Sequence, residues 1–377
     1  MPSRRAFPAG GAVATVLPLA ACGQPREYDA AADRLCAPLT IDPAFAELVR
    51  FATLRPNGHN TQPWRFASLA GGARIAPDPT RRTPAVDPDD HNLFVSLGAA
   101  AETFAIASEA RGRPAAIAFD PAGHIDLDTA AGPARDDPLF AAIPHRQSTR
   151  SEFDGRSVKS ADLDRLVAGA RIDGVSLTFV TDPARRTAVT DFVVAGNSAQ
   201  LDDPTFVDEL EHWVRFNAAA AEASGDGLFS RCSGQPTLPT WLGRRLFRRF
   251  LTKDSDNAKY VKQMRSSAGV AVFVGDRADP DHWVRVGRSF QRFALTATVL
   301  GIRTAMVNQP IEVPAVRADF ARSLGAGGLR PDLVVRFSYA PPLPFSLRRP
   351  ARAVIARCCR LVTPRLRAAQ QPGDAKP

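Results

Sequence analysis

Two separate stretches of the chain carry the residue types best suited to holding a small polar ligand. Residues 56–64 read Pro-Asn-Gly-His-Asn-Thr-Gln-Pro-Trp, which places carboxamides, an imidazole and an indole between two prolines. Far downstream, residues 146–150 read Arg-Gln-Ser-Thr-Arg. Arg146 and Arg150 offer planar guanidinium groups that can bind a phosphate in bidentate fashion, and Ser148 between them adds a hydroxyl. The two stretches together predict one site that holds a phosphate-bearing ligand from two sides.

Each of these side chains also has a plainer interpretation. Arg146 and Arg150 could be solvated surface arginines, because charged side chains are usually exposed. His59 could cap or brace a turn, and His145 could be a neutral structural residue. Trp64 is interpreted as a packing residue beneath the loop rather than as a stacking partner. The sequence shows no Ser-His-Asp set, no paired catalytic carboxylates and no metal-ligand spacing, so no side chain is assigned a catalytic role.

Local patterns predict the elements that position the loop. Asp42 and Pro43 predict a helix start, with a capping carboxylate followed by proline at the first helical position. That helix should end before Pro56, because the residue before a proline disfavours helical backbone. A strand at 65–69 follows the loop, and residues 224–258 are interpreted as an insertion or lid. The other predicted helices span 92–111, 160–171, 183–200, 204–221 and 281–300, and the other predicted strands span 73–75, 114–119, 175–181, 268–275, 303–308 and 332–339.

Two long predicted helices resemble each other. Gly98 and Gly287 open corresponding stretches, and Gly112 and Gly301 close them after the same interval. A Phe-Ala pair follows each opening glycine at the same distance, and a predicted strand follows each closing one. Two unrelated helices with C-terminal glycine caps could show the same pattern. The shared spacing favours a fused duplication, in which a homodimer has become one chain.

Composition places the chain among globular proteins with an excess of positive charge. The chain has 377 residues, of which 45% are hydrophobic and 23% charged, and its net charge is +9. One cluster comprises seven arginines and no acid between 348 and 367, and a second comprises Arg244, Arg245, Arg248 and Arg249. No recognition helix, zinc spacing or aromatic-basic interleaving supports nucleic-acid binding. Solvated arginines explain the charge best, and attraction to an anionic membrane surface comes next.

The first residues are predicted to be an export signal. Residues 3–7 read Ser-Arg-Arg-Ala-Phe, which resembles a twin-arginine motif, and an apolar run follows at 12–21. The sequence Leu-Ala-Ala-Cys then ends at Cys22, as in a lipoprotein cleavage site. A disordered, alanine-rich start of a cytoplasmic protein is the alternative. The five cysteines show no metal spacing and no CxxC pair, and a disulfide between distant ones stays open.

The loop and the arginine motif resemble those of the nitroreductase superfamily, and in particular its tandem, Acg-like branch of FMN-binding oxidoreductases. Members carry a Pro-Ser-Gly-His-Asn-Thr-Gln-Pro-Trp loop, matched here at 56–64, and an Arg-x-Ser-x-Arg phosphate motif, matched at 146–150. Asn57 stands where relatives often have serine. The resemblance extends over about residues 40–355. Weaker similarities to the family lie at 283–301, 308–310, 312–314 and 347–350.

The resemblance implies an α+β fold, with a nitroreductase-like mixed sheet flanked by helices. In ordinary nitroreductases the phosphate motif and the asparagine loop of one flavin site come from different subunits. This chain carries the loop only in its first half and the phosphate motif only in its second. The resemblance therefore implies two fused halves forming an intramolecular pseudo-dimer, a monomer with one FMN.

The resemblance also implies a set of cofactor-binding residues. Arg348 corresponds to a late basic residue on the phosphate, and Gln200 lies in a region that touches the flavin ring in relatives. Asn60 and Gln62 suit the alternating donors and acceptors of the ring edge, and backbone amides near Gly58 could approach it closely. The implied set is Asn57, Gly58, His59, Asn60, Gln62, Arg146, Ser148, Arg150, Gln200 and Arg348.

The implied function is electron transfer through FMN from a reduced nicotinamide to an acceptor of the nitroaromatic or quinone type. The alternative is a non-catalytic protein that binds or sequesters flavin at the cell envelope. Export would place the chain in the envelope or periplasm, anchored through Cys22, where nicotinamides are scarce. The predicted division is an export signal at 1–22, a tether at 23–40, a first half at 41–135, a second half at 136–355 with an insertion or lid at about 205–265, and a basic tail at 356–377.

Overall fold

The computed structural model describes residues 25–326 and 328–356. The predicted export signal, with Cys22, and nearly all of the predicted basic tail lie outside these residues, so both stay predictions. The helices are α1 (Pro25–Cys36), α2 (Phe45–Thr53), α3 (His91–Glu109), α4 (Pro138–Ala142), α5 (Ser160–Ala170), α6 (Pro183–Asp202), α7 (Pro204–Trp213), α8 (Ala218–Ser224), α9 (Thr240–Phe250), α10 (Lys253–Arg265), α11 (Pro280–Val299), α12 (Gln309–Glu312), α13 (Pro314–Leu324) and α14 (Ala351–Val354). Within the described ranges, no helix is long and apolar enough to span a bilayer.

The strands form two four-stranded sheets and one short ribbon. The strands are β1 (Trp64–Leu69), β2 (Gly72–Pro77), β3 (Ala115–Phe119), β4 (Ile125–Thr129), β5 (Val175–Val180), β6 (Val214–Arg215), β7 (Leu228–Phe229), β8 (Gly269–Gly275), β9 (Arg303–Met306) and β10 (Pro331–Ser338). The sheet orders are β1-β2-β4-β3 and β5-β8-β10-β9, all antiparallel, and β6 pairs with β7 in parallel. Parallel bridges between Phe66 and Ile355 and between Ser148 and Thr304 extend one edge of each large sheet. The predicted α+β class, with sheets flanked by helices, is confirmed; the named strands of the two large sheets pair antiparallel, and parallel pairing occurs in the ribbon and the two bridges.

The two large sheets share one topology. In each half, two strands precede a long helix and two strands follow it, and the sheet order is the same. The first half connects these elements with short turns, apart from residues 78–90 between β2 and α3. The second half inserts α6 to α10 between β5 and β8, and α12 with α13 between β9 and β10. One hydrophobic core includes residues of both halves, such as Phe66, Phe104, Phe273 and Phe337.

The two long helices α3 and α11 cross at a pair of glycines. A Cβ atom on Gly98 would lie 2.0 Å from the Val284 carbonyl oxygen, and one on Gly287 would lie 2.0 Å from the Val95 carbonyl oxygen. Each glycine thus meets the residue three positions before the other glycine. Only glycine permits this backbone approach. The contact is thus reciprocal, and its two glycines are the ones that open the two similar helical stretches of the sequence.

Several predicted elements differ from the structure. Residues 25–36, expected to be part of a tether, form α1 instead, and Tyr28 of that helix is fully buried against Phe229, Cys232 and Leu347. Helix α2 begins at Phe45, after Ala44, and Asp42 does not cap it. The predicted helix at 204–221 is two helices, because Val214 and Arg215 leave the helix to form β6. Strand β4 is not among the predicted strands, although its residues Ile125–Thr129 alternate apolar and polar side chains.

Candidate functional site

The loop at 56–64 has an unusual backbone. His59, Asn60 and Gln62 have positive φ angles of 46°, 54° and 57°. Non-glycine residues rarely adopt this left-handed region, although asparagine tolerates it. The Asn57 side-chain oxygen accepts a hydrogen bond from the Gln62 backbone N–H at 2.7 Å, which closes the loop on itself. Such strain persists only where surrounding contacts determine the conformation.

Those surrounding contacts come from the second half of the chain. The Asn60 side-chain nitrogen donates to the carbonyls of Gly227 at 3.0 Å and Leu347 at 3.1 Å. Gln62 is fully buried, and its amide donates to the Gly225 carbonyl at 2.8 Å and accepts from the Arg349 N–H at 2.9 Å. Gln62 therefore uses both ends of its side chain to hold the loop, and it does not line the cavity described below.

Three arginines of the second half converge on this loop. Arg146 is 5% exposed, and Arg150 and Arg348 are half-buried. No salt bridge is recorded for any of the three within the part of the chain that the structure describes. Burial, reinforced by neighbouring guanidinium groups, lowers the pKa of Arg146 to about 9 and that of Arg348 to about 10. Burial also lowers the pKa of Arg150. The cluster is thus positive charge without a compensating carboxylate.

Part of this charge is directed at the end of α2. Arg146 donates to the Leu54 carbonyl at 3.0 Å, and Arg348 donates to the Thr53 carbonyl at 2.7 Å. The C-terminus of a helix carries partial negative charge, so these contacts cap α2 favourably. They do not use all the donors: Nε and Nη1 of Arg146 are buried with no hydrogen-bond partner. Arg348 is occupied by several backbone carbonyls.

A fourth arginine, Arg55, was not singled out by the sequence. It is fully buried, it lies 3.5 Å from the Trp64 ring centroid, and it donates to the Pro56 carbonyl. Its Nε and Nη2 atoms have no hydrogen-bond partner. Burial first, then the charges of Arg348 and Arg146, lower its pKa well below the usual value. The only feature of the sequence that could have indicated a role for Arg55 is its position directly before the loop. Trp64, fully buried under Arg55, packs beneath the loop as predicted.

A small cavity lies between the loop and the arginines. Its walls include Asn57 and Asn60 from the first half and Arg146, Ser148, Arg150 and Arg348 from the second. The Asn57 side-chain nitrogen and the Asn60 side-chain oxygen are buried without partners, so the walls offer one free donor and one free acceptor. The cavity measures about 60 Å³, room for about two water molecules. Ala32, Leu35 and Cys36 of helix α1 and Cys232 also line it.

Three other residues of the predicted cofactor-binding set do not line the cavity. His59 is half-buried with an unpartnered Nδ1, and burial, then Arg150, lowers its pKa to about 4, so it is neutral at ordinary pH. Gly58 is exposed, does not line the cavity, and a Cβ there would meet nothing within 4 Å. Gln200 does not line the cavity either, and its side-chain amide instead donates to the Glu312 carboxylate at 2.8 Å.

Gln200 belongs to a separate buried polar cluster that joins the halves. Glu312 accepts from Gln200 and, at 3.4 Å, from the Asn92 side chain. Asp87 accepts from the backbone N–H groups of Asn92 and Leu93 at the start of α3. Burial raises the pKa of both acids to about 7. The charged groups of this cluster are acids, whereas those of the cavity are arginines. None of the cluster's residues lines the cavity.

Comparison with known proteins found two kinds of similarity, although no protein-family profile matches the chain. A Mycobacterium tuberculosis protein named "putative NAD(P)H nitroreductase" is 28% identical over 327 residues, covering 82% of this chain and 91% of that protein. A second protein of that organism, named only as uncharacterised, is 27% identical over 319 residues, covering 78% of this chain and 86% of that protein.

Two solved structures are similar at a lower level. The FMN-dependent nitroreductase NfnB of Mycobacterium smegmatis, in complex with NADPH, is 15% identical with a TM-score of 0.36, covering 54% of this chain and 87% of that one. A nitroreductase with bound FMN from Bacteroides fragilis is 14% identical with a TM-score of 0.34, covering 55% and 90%. Similarity at this level does not by itself establish a common fold.

Proposed function

We propose that this chain is an FMN-dependent oxidoreductase of the nitroreductase superfamily, in its tandem Acg-like branch, with one flavin held between its two halves. The observation that carries the proposal is the cavity wall itself. One buried and two half-buried arginines without a carboxylate partner line the same small space as two carboxamides with unused hydrogen-bonding atoms. The similarity over most of both chains to a protein named as a nitroreductase supports the same assignment.

The residues present fit a flavin mononucleotide. A phosphate monoester carries nearly two negative charges near neutral pH, which would satisfy the free donors of Arg146 and relieve the mutual repulsion of the arginines. Arg150 and the hydroxyl of Ser148 lie in the same wall. The Asn57 nitrogen and the Asn60 oxygen suit a ring edge that alternates acceptors and donors. Gln62 holds the loop in shape from behind.

When bound, FMN supplies the redox chemistry, taking electrons from a reduced donor and passing them to an oxidised acceptor. The name of the M. tuberculosis relative points to a reduced nicotinamide as donor. Nitroaromatic compounds or quinones are the proposed acceptors. The protein's part is to hold the phosphate, to fix the ring edge through the loop and to keep water out with α1.

One observation favours the second candidate, a protein that sequesters flavin without turnover. The cavity of about 60 Å³ is far below the roughly 300–1,000 Å³ of ordinary small-molecule sites. Helix α1 and the segment around Cys232 would have to move to admit a flavin, and a closed cover would keep bulky partners away. The two candidates differ in one measurement. Anaerobic NADH or NADPH should bleach the flavin absorbance of an oxidoreductase within seconds, whereas only dithionite should bleach a sequestering protein.

The binding site itself is tested by Arg146→Ala combined with Arg150→Ala. We expect colourless protein that remains folded, because two charge-assisted contacts are worth roughly 1.5–3 kcal/mol each. Flavin content is measured by absorbance and folding by circular dichroism. The matched control is Arg171→Ala with Arg185→Ala, which removes two exposed arginines elsewhere. Full flavin content in the first variant, or equal loss in both, would remove Arg146 and Arg150 from the site.

A further inference from the structure

Helix α9 presents an exposed face of unusual composition. Trp241 is 66% exposed, although large aromatic rings are normally buried. Helical spacing places Arg244, Arg245 and Arg248 beside it, at three, four and seven positions along the same face. Arg249 continues the face, and all four arginines are exposed. The result is a positively charged surface with an indole ring at its N-terminal end.

Most of this charge has no partner. Arg248 pairs with Asp208 at 2.9 Å and with Glu211 at 2.5 Å. Among the described residues, no salt bridge is recorded for Arg244, Arg245 or Arg249. These three guanidinium groups are therefore available to an anionic partner.

The opposite face of α9 fixes the helix to the protein. Gly243 lies so close to Phe216 that an added Cβ would approach its ring to 2.4 Å, and the rings of Phe216 and Phe247 are 6.1 Å apart. The Asn217 side chain donates to the Thr240 hydroxyl at 3.1 Å. The basic face is thus held outward by packing. At the last turn, Phe250 is also 66% exposed.

We propose that α9 docks the protein on an anionic phospholipid surface. A helix with basic residues around exposed aromatic side chains lies in the plane of the headgroups, where tryptophan is favoured. Each arginine near such a surface strengthens binding by about fivefold. A nucleic-acid duplex is the other anionic surface to consider. Arginines could bind either surface, but the exposed rings of Trp241 and Phe250 favour lipid, because aromatic side chains are stabilised at the level of the headgroups.

Intrinsic fluorescence offers a direct test on the full chain. The other three tryptophans, Trp64, Trp213 and Trp283, are at most 7% exposed, so Trp241 dominates any change at the surface. With vesicles containing phosphatidylglycerol we expect co-sedimentation, a blue shift of the emission and protection from aqueous quenchers. Pure phosphatidylcholine vesicles should produce none of these effects, and high salt should reverse them.

Variants assign the effect to α9. Arg244→Gln with Arg245→Gln and Arg249→Gln should weaken partitioning by one to two orders of magnitude. Arg171→Gln with Arg185→Gln and Arg265→Gln removes the same charge from exposed sites elsewhere and should retain tight binding. Trp241→Phe should still sediment but lose the blue shift. Equal loss in both triple variants, no preference for phosphatidylglycerol, or binding to duplex DNA without binding to vesicles would overturn the proposal.

Discussion

At the scale of single residues, the side chains of the site fall into two groups. In one group the protein itself supplies the hydrogen-bond partners, and in the other some polar atoms have no protein partner. Gln62 is completely engaged in holding the loop, and Arg348 is occupied by carbonyls. Arg146, Asn57 and Asn60 keep buried polar atoms that no protein group contacts. Unsatisfied buried polar atoms destabilise a fold unless a ligand completes them. A ligand that binds Arg146, Asn57 and Asn60 would therefore supply the hydrogen-bond partners that these side chains lack.

The free energy of unfolding of an Arg55 variant tests whether buried polar atoms without partners destabilise the flavin-free protein. Its pKa is depressed in the folded state, so the unfolded chain binds a proton more readily, and the charged form costs folding free energy at neutral pH. We expect Arg55→Met to raise the unfolding free energy of the flavin-free protein by about 1–3 kcal/mol. The same change should weaken flavin binding by on the order of 1 kcal/mol, because one positive charge near the phosphate is lost.

Arg336 is the matched control for this prediction. It is also fully buried without a salt bridge, but it donates to the carbonyls of Gln263, Thr149 and Ser151. Arg336→Met should lower the unfolding free energy by about 2–5 kcal/mol, because three carbonyls lose their donor. Urea titrations of both flavin-free variants at neutral pH make the comparison. If Arg55→Met destabilised the protein as much as Arg336→Met, Arg55 would be a structural residue of the same kind.

The sequence could identify the residues of the two motifs but not the roles of their neighbours. Arg146, Ser148, Asn57 and Asn60 line the same cavity, as their chemical types predict. The role of Gln62 depends on Gly225 and Arg349, which are remote in sequence, and no local pattern reports such partners. Gln200 was placed by a loose resemblance, and its carboxylate partner Glu312 could not be foreseen.

At the scale of elements, prediction worked where one periodic pattern determined one element. The long helices α3 and α11 and most strands of both sheets appear close to their predicted bounds. Helix α1 was missed because its only fully buried large side chain, Tyr28, packs against Phe229 and Leu347 from the second half. Tertiary contacts overrode a weak local pattern there. In the same way, β6 interrupts a helical pattern by pairing with β7.

The crossing of α3 and α11 predicts paired mutational effects. Alanine in place of glycine normally stabilises a helix interior by up to about 1 kcal/mol. At Gly98 and Gly287 the new methyl group would lie 2.0 Å from a backbone oxygen, which cannot move aside like a side chain. We expect Gly98→Ala and Gly287→Ala each to destabilise the protein by about 3 kcal/mol or more. Thermal and urea unfolding would measure both.

Gly71→Ala serves as the control for these variants, because a Cβ at this exposed turn would meet nothing within 4 Å. It should change stability by less than about 0.5 kcal/mol. The reciprocal contact further implies similar costs for the two helix variants. A large cost at one glycine and none at the other would mean that the helices do not cross symmetrically.

At the scale of the whole molecule, the shared topology of the two halves gives two corresponding positions for a binding site. Only one of them has a cluster of arginines without carboxylate partners. The loop between α2 and β1 corresponds to the short loop at 171–174 between α5 and β5. That short loop and β3 border a groove of about 830 Å³, which has ample room. Arg277 and Arg285 in this groove pair with acids of the groove itself, Asp279 and Asp281. Arg288, also in this groove, pairs with Glu102, so among the described residues only Arg171 of the groove has no carboxylate partner. The groove therefore has no cluster of unpaired arginines like that of the cavity.

This difference predicts the stoichiometry of the loaded protein. We expect one FMN per chain, with the loaded chain a monomer in solution, because loop and arginines of a single chain complete the only uncompensated cation cluster at either place in the described fold. Native mass spectrometry would give both numbers. Arg146→Ala with Arg150→Ala should bring the flavin count close to zero rather than halve it, and Arg171→Ala should leave it unchanged. Two flavins per chain, or a flavin count that depends on dimer formation, would mean that the two halves of one chain do not form the site by themselves.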